Sequence, residues 1–410
     1  MRRLVLTTAL CAPSAALAGG YVLPNESPRE LALSQAAVAD TNSADALFIN
    51  VAGLAGQEGL DVAVGGELLL NRTDWSDPTL GSSSIKTKAN TPPTAAVSYG
   101  HHLANGMAWG AGVGVNVPAG GSLNWPAGWQ GQERIQSVSQ QVFAIGAGAA
   151  FQPLPFLKIG ASYLRLQATE ELHQSINYLD HFGDAGLTMS GGANGFSVGA
   201  EVDVPTIPLT LAATYSHAQN FGLSGHAHFT DVPIAFQTLL HDQSVTENLI
   251  IPDILWVGAA YEVMPNLKVM AAFNLERWYP YDSDTFVGAG GFTVVVPRNY
   301  KDAYVFRVAG EWEHTPFLPA LTLRAGLLRS QSPQPTDTVS PSLTDGNSTA
   351  FSLGAGYNFL PALRVDLGYQ HAFFDSVTAT GPEAFPGTYK TQVDLVSLGV
   401  NWRTDLGMSK

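Results

Sequence analysis

LRVDLGYQ, residues 363–370, decides the fold: Leu363, Val365, Leu367 and Tyr369 fall on one face of an extended chain, and Arg364, Asp366, Gly368 and Gln370 on the other. A β-strand turns successive side chains to opposite faces, so a period of two marks a strand with one apolar and one polar surface. From Leu267 the same reading puts Val269, Ala271, Phe273 and Leu275 outside, with Lys268, Met270, Ala272, Asn274 and Glu276 inside. A third stretch turns Phe351, Leu353, Ala355, Tyr357 and Phe359 outward, and Ser352, Gly354, Gly356 and Asn358 inward. Aromatic residues at the strand ends suit the interfacial girdles of a membrane barrel.

Composition narrows the class. The chain is 45% hydrophobic and 13% charged, where about 25% charge is usual for a soluble domain. Beyond the leader, nowhere do the roughly 18 apolar residues of a membrane helix run together. In lipid every backbone N–H and C=O has to be paired within the protein, so a membrane protein without such helices is a closed barrel. The expected fold is therefore all-β, a transmembrane antiparallel barrel of about 14 strands, an even number as in bacterial single-chain barrels. The strands are expected to start near Leu60, Thr94, Met107, Gln141, Leu157, Gly195, Leu209, Pro252, Leu267, Tyr304, Leu321, Thr349, Leu363 and Gln392. Short turns, as at Asn105 and Gly106, Gln152 to Phe156 and Leu360 to Ala362, alternate with long polar connections such as Asn71 to Pro93 and Ser216 to Ile251. That alternation is the pattern of short periplasmic turns and long outer loops.

The start of the chain has a different character. Arg2 and Arg3 precede an apolar run from Leu4 to Leu10, then Ala16, Leu17 and Ala18; this reads as a secretory signal, residues 1–18, cleaved before Gly19. Cys11, the chain's only cysteine, falls inside that apolar run rather than behind a small residue at its end. It is therefore no lipid-anchor site, and the mature chain holds no disulfide. The formal charge of −14 grows more negative once Arg2 and Arg3 are removed, which argues against nucleic acid or anionic lipid as a partner. Residues 19–59 lack strand alternation and are more apolar than free tails usually are, so a compact plug in the lumen is expected, with a disordered periplasmic extension as the other reading, followed by the barrel over 60–403 and a polar tail over 404–410.

Here the residues resemble the outer-membrane long-chain fatty-acid transporter family of the FadL type. Its members open with a glycine, an aromatic and a leucine near Asn or Glu, then an Ala-rich stretch with Ala-Asp, then Asn-Pro-Ala-Gly-Leu. This chain has Gly20, Tyr21, Leu23, Asn25 and Glu26, then Ala36, Ala37, Ala39 and Asp40, then Asn50, Val51, Ala52, Gly53 and Leu54, with Val51 in the usual place of proline. GVGVNVPA (112–119), WQGQERI (129–135), IPDILWVGAAY (251–261), LERW (275–278), LRAGLLRSQSP (323–333), FSLGAGYN (351–358) and VDLGYQH (365–371) continue the likeness in order. The C-terminus departs from it, since a polar tail replaces the terminal aromatic that the barrel-insertion machinery reads.

The resemblance implies transport of a long-chain fatty acid or other hydrophobic small molecule through a barrel in outer-membrane lipid, as a monomer and without a cofactor. It also implies an apolar site near the outer loops, a deeper binding site, an N-terminal hatch that includes Tyr21, and a break in the third strand opening sideways. Asn116, Pro118, Gly120 and Gly121 fall where that break belongs; proline cannot donate to the ladder and glycine weakens it. Ending the strand at its loop is the other reading of Pro118.

A fatty acid gains about 0.8 kcal/mol per buried CH₂ while its carboxylate needs a partner. Lumen-facing cations by alternation are Lys268, Arg307, Arg324 and Arg364. Arg364 has Asp366 two residues away and Arg307 has Glu311 four away, so both read equally as wall-bracing pairs. Arg324, with no acid in its own strand, is the first candidate for a head group. Pro233, Ile234, Phe236, Leu239 and Leu240 have the spacing of a short amphipathic helix in the longest loop and are candidates for the upper site.

Two other functions remain open. GFSVG (195–199) matches a nucleophile elbow around Ser197, which would make an outer-membrane hydrolase, but the strand pattern continues through it and no helix follows. A general aqueous porin would need an open lumen. His226 and His228 share a face without a third metal ligand, and Gly110, Gly112 and Gly114 precede no helix.

Overall fold

A computed structural model describes residues 20–23, 27–86, 91–381 and 384–404. The expected signal, Asn25 and Glu26, and the tail beyond Thr404 lie outside the described residues. Fourteen strands close antiparallel on themselves. In chain order they are Gly59–Asp77, Pro93–His102, Ala108–Asn124, Ser137–Leu154, Leu157–Asn177, Phe182–Asp203, Leu209–Ser216 continued as Gln219–Phe229, and Gln243–Ile251 continued as Asp253–Met264. Then come Leu267–Arg277 with Ser283–Gly288, Thr293–Pro297 with Ala303–Trp312, Leu321–Ser330, Ser348–Leu360, Leu363–Phe374 and Thr388–Thr404. The first strand pairs with the last, from Leu60 opposite Thr404 to Ser76 opposite Thr388, so the wall has no edge at that seam.

Side chains sort as the alternation requires. Val64, Val113, Ile145, Phe306, Leu353 and Leu398 face outward and are exposed, whereas their inward neighbours are buried or polar. Trp109, Phe151, Phe156, Tyr261, Phe359 and Trp402 ring the end that carries the short turns, as interfacial aromatics do. That end is the periplasmic one by the same rule, and both the first strand's start and the last strand's finish lie there.

The strand starts match the alternation closely, but three strands begin earlier than expected, at Phe182, Gln243 and Thr293. The connection expected over Asn71 to Pro93 is ladder as far as Asp77, followed by a paired segment Gly81–Lys86. The one expected over Ser216 to Ile251 shrinks to residues 230–242. Above the membrane the outward face meets water, so the ladder runs on while its hydropathic alternation fades.

Residues 27–57 pack inside the wall. Ser27 caps the helix Pro28–Ala32 by accepting from Glu30 N at 3.2 Å, and Asn50 caps the 3₁₀ turn Val51–Gly56 by accepting from Ala52 N at 3.2 Å, the role short polar side chains fill at helix starts. The Asn50 amide also donates to Val38 O at 3.0 Å and to Ala200 O of the sixth strand at 3.4 Å. Wall glycines make the close approach possible: a Cβ on Gly160 would stand 2.9 Å from Ala52 N, and one on Gly110 would collide with Leu54 O.

Cysteines placed at Leu179 and Ile234, both highly exposed in connections at the end opposite the short turns, are expected to react with a membrane-impermeant maleimide in intact cells. Cysteines at Asn105 and Phe317 should react only after the outer membrane is permeabilised. The reverse pattern would invert the orientation.

Candidate functional site

Of the cavities along the lumen, two lie on the outer side of the helix Pro28–Ala32 and a third, about 260 Å³, lies beside that helix, bounded by Arg29, Asp45, Arg364 and Arg403. The deeper of the first two, about 170 Å³, is bounded by Leu164 and Leu166 of the fifth strand, Ile251 and Trp256 of the eighth, and Phe374 of the thirteenth, with Val22 and Leu23 from the N-terminal segment. Its polar lining is mostly uncharged, from Ser162, Ser197, Thr214, Ser216, Gln219 and Asn274, and it adds one acid, Glu276, and one base, Arg307. The outer one, about 280 Å³, is bounded by Ile176, Phe229, Leu239, Leu240, Phe292 and Val294.

The third strand is broken beside the deeper cavity. Its ladder with the second strand ends at Ala95 opposite Val115. Against the fourth strand the register jumps between Asn116, opposite Ala144, and Ala119, opposite Val142. This is a β-bulge of one extra residue, which bends a strand locally. Asn116, Val117, Ala119, Gly120 and Gly121 are all buried, so the in–out alternation fails here. Gly120 has φ +147°, and a Cβ there would stand 2.6 Å from Gln140 O. Gly121, however, is in regular register with Gln140, so the break falls at Val117 and Pro118 and not at the glycines.

The start of the chain fills the freed edge. Leu23 N donates to Pro118 O at 2.9 Å, Gly120 N donates to Tyr21 O at 3.0 Å, and the Tyr21 hydroxyl donates to Ile250 O. Tyr21 is buried among Trp278 and Tyr281. Asn116 and Pro118 line the deeper cavity, so the break, the N-terminal segment and the cavity meet in one place.

Of the candidate cations, Arg307 lines the deeper cavity, donating to Asn274 Oδ1 at 2.6 Å and Gln35 Oε1 at 3.2 Å, with its guanidinium 5.2 Å from the Trp256 ring centre. Lys268 instead pairs with Asp40 at 2.8 Å. Arg324 is corrected by the structure: Glu311 of the tenth strand holds it at 2.5 Å and Asp366 of the thirteenth at 2.6 Å, and its side chain is fully enclosed. Its acids sit in other strands, so the absence of one in its own carried no meaning. Arg364 pairs with Asp366 at 3.0 Å.

The loop expected to be helical forms successive turns, with Phe236 N donating to Pro233 O and Leu240 N to Phe236 O, each at 2.9 Å. Leu239 and Leu240 bound the outer cavity, and Phe236 stacks on Tyr178 at 5.7 Å behind it. Ser197 lies within the sixth strand, donating to Tyr215 O at 3.2 Å, and the strand runs straight on to Asp203 without the turn and helix of a nucleophile elbow. His228 meets Asp242 at 2.6 Å on an exposed face, and no group of three metal-binding side chains occurs among the described residues. Sequence reasoning passed over Trp256 and Gln219. Asn274 and Glu276 were placed inside by their alternation, without a role.

A closed barrel with an apolar outer belt, an occupied lumen and a broken strand beside an internal cavity defines an outer-membrane transport barrel. The chain belongs to the family described as outer membrane protein transport protein (OMPP1/FadL/TodX), whose model matches residues 9–404. It is similar in structure to a Pseudomonas aeruginosa FadL homologue, at 17% identity and TM-score 0.82, covering 94% of this chain and 99% of that one. It is also similar to the P. putida toluene transporter TodX, at 16% identity and TM-score 0.69, covering 94% and 98%. The Ralstonia pickettii toluene transporter TbuX matches at 17% identity and TM-score 0.67, covering 91% and 97%. A 47 kDa outer membrane protein of Pasteurella multocida (strain Pm70) is 24% identical over 183 residues, which span 42% of this chain and 41% of that relative.

Proposed function

We propose that this barrel takes up hydrophobic small molecules, long-chain fatty acids or aromatic hydrocarbons among their possible classes, from the outer cavity to the deeper one and out sideways at the third-strand break. The observation that carries this reading is the meeting of the deeper apolar cavity with Pro118 and the N-terminal segment at the one place where the second and third strands part. A molecule there has lipid on one side and apolar side chains on the other, and each CH₂ it buries contributes about 0.8 kcal/mol. Residues 27–57 act as the hatch in this reading, and the barrel works as a single chain. The fold and the family favour transport over a lipase-like hydrolase, and the occupied lumen speaks against a general porin.

Cells producing the protein should take up a neutral apolar probe, dodecanol, faster than cells without it, and Ile251→Glu in the deeper cavity should remove the difference. Equal uptake with and without the protein would overturn the reading.

A further inference from the structure

The inward residues of the fifth strand lead from one cavity to the other. Leu166 bounds the deeper cavity and Gln174 the outer one, with Ala168, Glu170 and Leu172 buried between them. At roughly 3.3 Å per residue, Glu170 stands about 13 Å from each end of that span. Glu247 lies four residues above Ile251 on the eighth strand and is also buried, and Asp284 of the ninth is fully enclosed. The three carboxyls lie close enough to feel one another's charge, and the cation that faces them is Arg298.

Arg298 Nε donates to Asp284 Oδ2 at 2.7 Å, and Tyr281 donates to the same carboxylate. Both oxygens of Glu170 and both of Glu247 have no hydrogen-bonding partner among the described residues. Gln140, directly across the ladder from Glu170, is 1% exposed, and its amide oxygen and nitrogen also have no partner there. Buried polar groups in proteins are nearly always satisfied, and acceptors concentrated in this way call for a donor carrying positive charge. The rings of Tyr21, Trp278, Tyr281 and Tyr300 pack together at this level, and aromatic faces attract organic cations.

We propose that Glu170, Glu247 and Gln140 form a selectivity site between the two cavities that receives the ammonium head of a hydrophobic amine and turns away a carboxylate. An ammonium offers three donors and no acceptor, which matches carboxylates and an amide oxygen that lack donors. A carboxylate brings only acceptors to a place already crowded with them. No group of three metal-binding side chains occurs among the described residues, which favours an organic ammonium over a bare metal ion. The inference rests on the transport reading and names the substrate class it leaves open.

The test compares dodecylamine, dodecanol and dodecanoate binding to the purified full-length mature protein in detergent, by calorimetry at neutral pH. Dodecylamine should bind roughly ten- to a hundredfold more tightly than dodecanol, and dodecanoate more weakly than either. Glu170→Gln with Glu247→Gln should bring dodecylamine to the level of dodecanol while leaving dodecanol binding unchanged, which also reports that the variant is folded. Glu247→Gln alone should fall between. Dodecanoate binding as tightly as dodecylamine, or an undiminished amine preference in the double variant, would overturn the selectivity site while the transport reading stands. Failure of all three probes to bind the native protein would remove both.

Discussion

Glu311→Gln is expected to loosen the N-terminal segment from the wall and let ions through the barrel. The Glu311 carboxylate is completely buried and accepts from Arg29 Nε at 3.0 Å and Nη2 at 2.6 Å, and from Arg324 Nε at 2.5 Å. Arg29 belongs to the enclosed segment, and Arg324 and Glu311 to adjacent strands, so one carboxylate ties the segment to the wall. Asp40 at 2.6 Å from Arg29 and Asp366 at 2.6 Å from Arg324 remain in the variant, but Lys268 and Arg364 already draw on them. Removing one member of a buried ion pair typically costs about 3–5 kcal/mol, because the charge left behind has lost its partner in a place water does not reach. Gln keeps the shape and one acceptor, so the loss is of charge and not of packing. Planar-bilayer recordings should show conductance steps that the native protein lacks, and trypsin should cut at Arg29. A variant as silent and as protease-resistant as the native protein would mean that other contacts, such as those of Asn50, hold the segment by themselves.

Deleting Pro118 is expected to close the third-strand break and stop uptake while ligands still bind. The bulge holds one residue too many between Asn116 opposite Ala144 and Ala119 opposite Val142. Without Pro118, Val117 falls opposite Phe143, whose side chain faces outward, and the regular alternation returns. The deletion also removes the carbonyl that accepts from Leu23 N. Substituting valine at Gly120 would be a poor alternative, since its φ of +147° and the 2.6 Å approach of Gln140 O would distort the strand. Dodecanol uptake should fall by about tenfold or more, since a regular ladder leaves no gap in the wall, with its affinity for the purified protein within about twofold of native. Unchanged uptake would send the molecule out through the periplasmic end instead.

The parts of the fold legible in the sequence are those where lipid lies on one side of the wall. LRVDLGYQ and the strand from Leu267 alternate because outward positions must be apolar there, and their starts were placed within a few residues. The ladder above the membrane, as in Phe182–Asp203, borders water outside, so Glu171 and His173 stand outward on its neighbour without an apolar signature. The site was legible where the chemistry is local: Pro118 lacks a donor whatever surrounds it, and the bulge falls there. It was not legible where partners come from other strands. Arg324 looks isolated in LTLRAGLLRS, yet Glu311 stands opposite it in the register and Asp366 reaches it from two strands away. Glu170, Glu247 and Asp284 come from three strands whose convergence depends on closure of the whole barrel.

The seam between the first and last strands bears on how the molecule comes to exist. Leu60 to Ser76 pair with Thr388 to Thr404, the contacts of greatest sequence separation in the chain, and contacts of that kind form slowly because a long loop has to be closed before they return any stability. The enclosed segment is tethered to the first strand, while several of its partners, Glu311, Ser352 and the backbone at Gly368, arrive on late strands. Its capture and the final zippering therefore belong to the same late event of assembly. Once the seam has closed, releasing the segment whole means either reopening seventeen paired positions or drawing it out through the periplasmic mouth. The persistence of the filled barrel is for that reason a matter of unzipping rates as much as of contact energies.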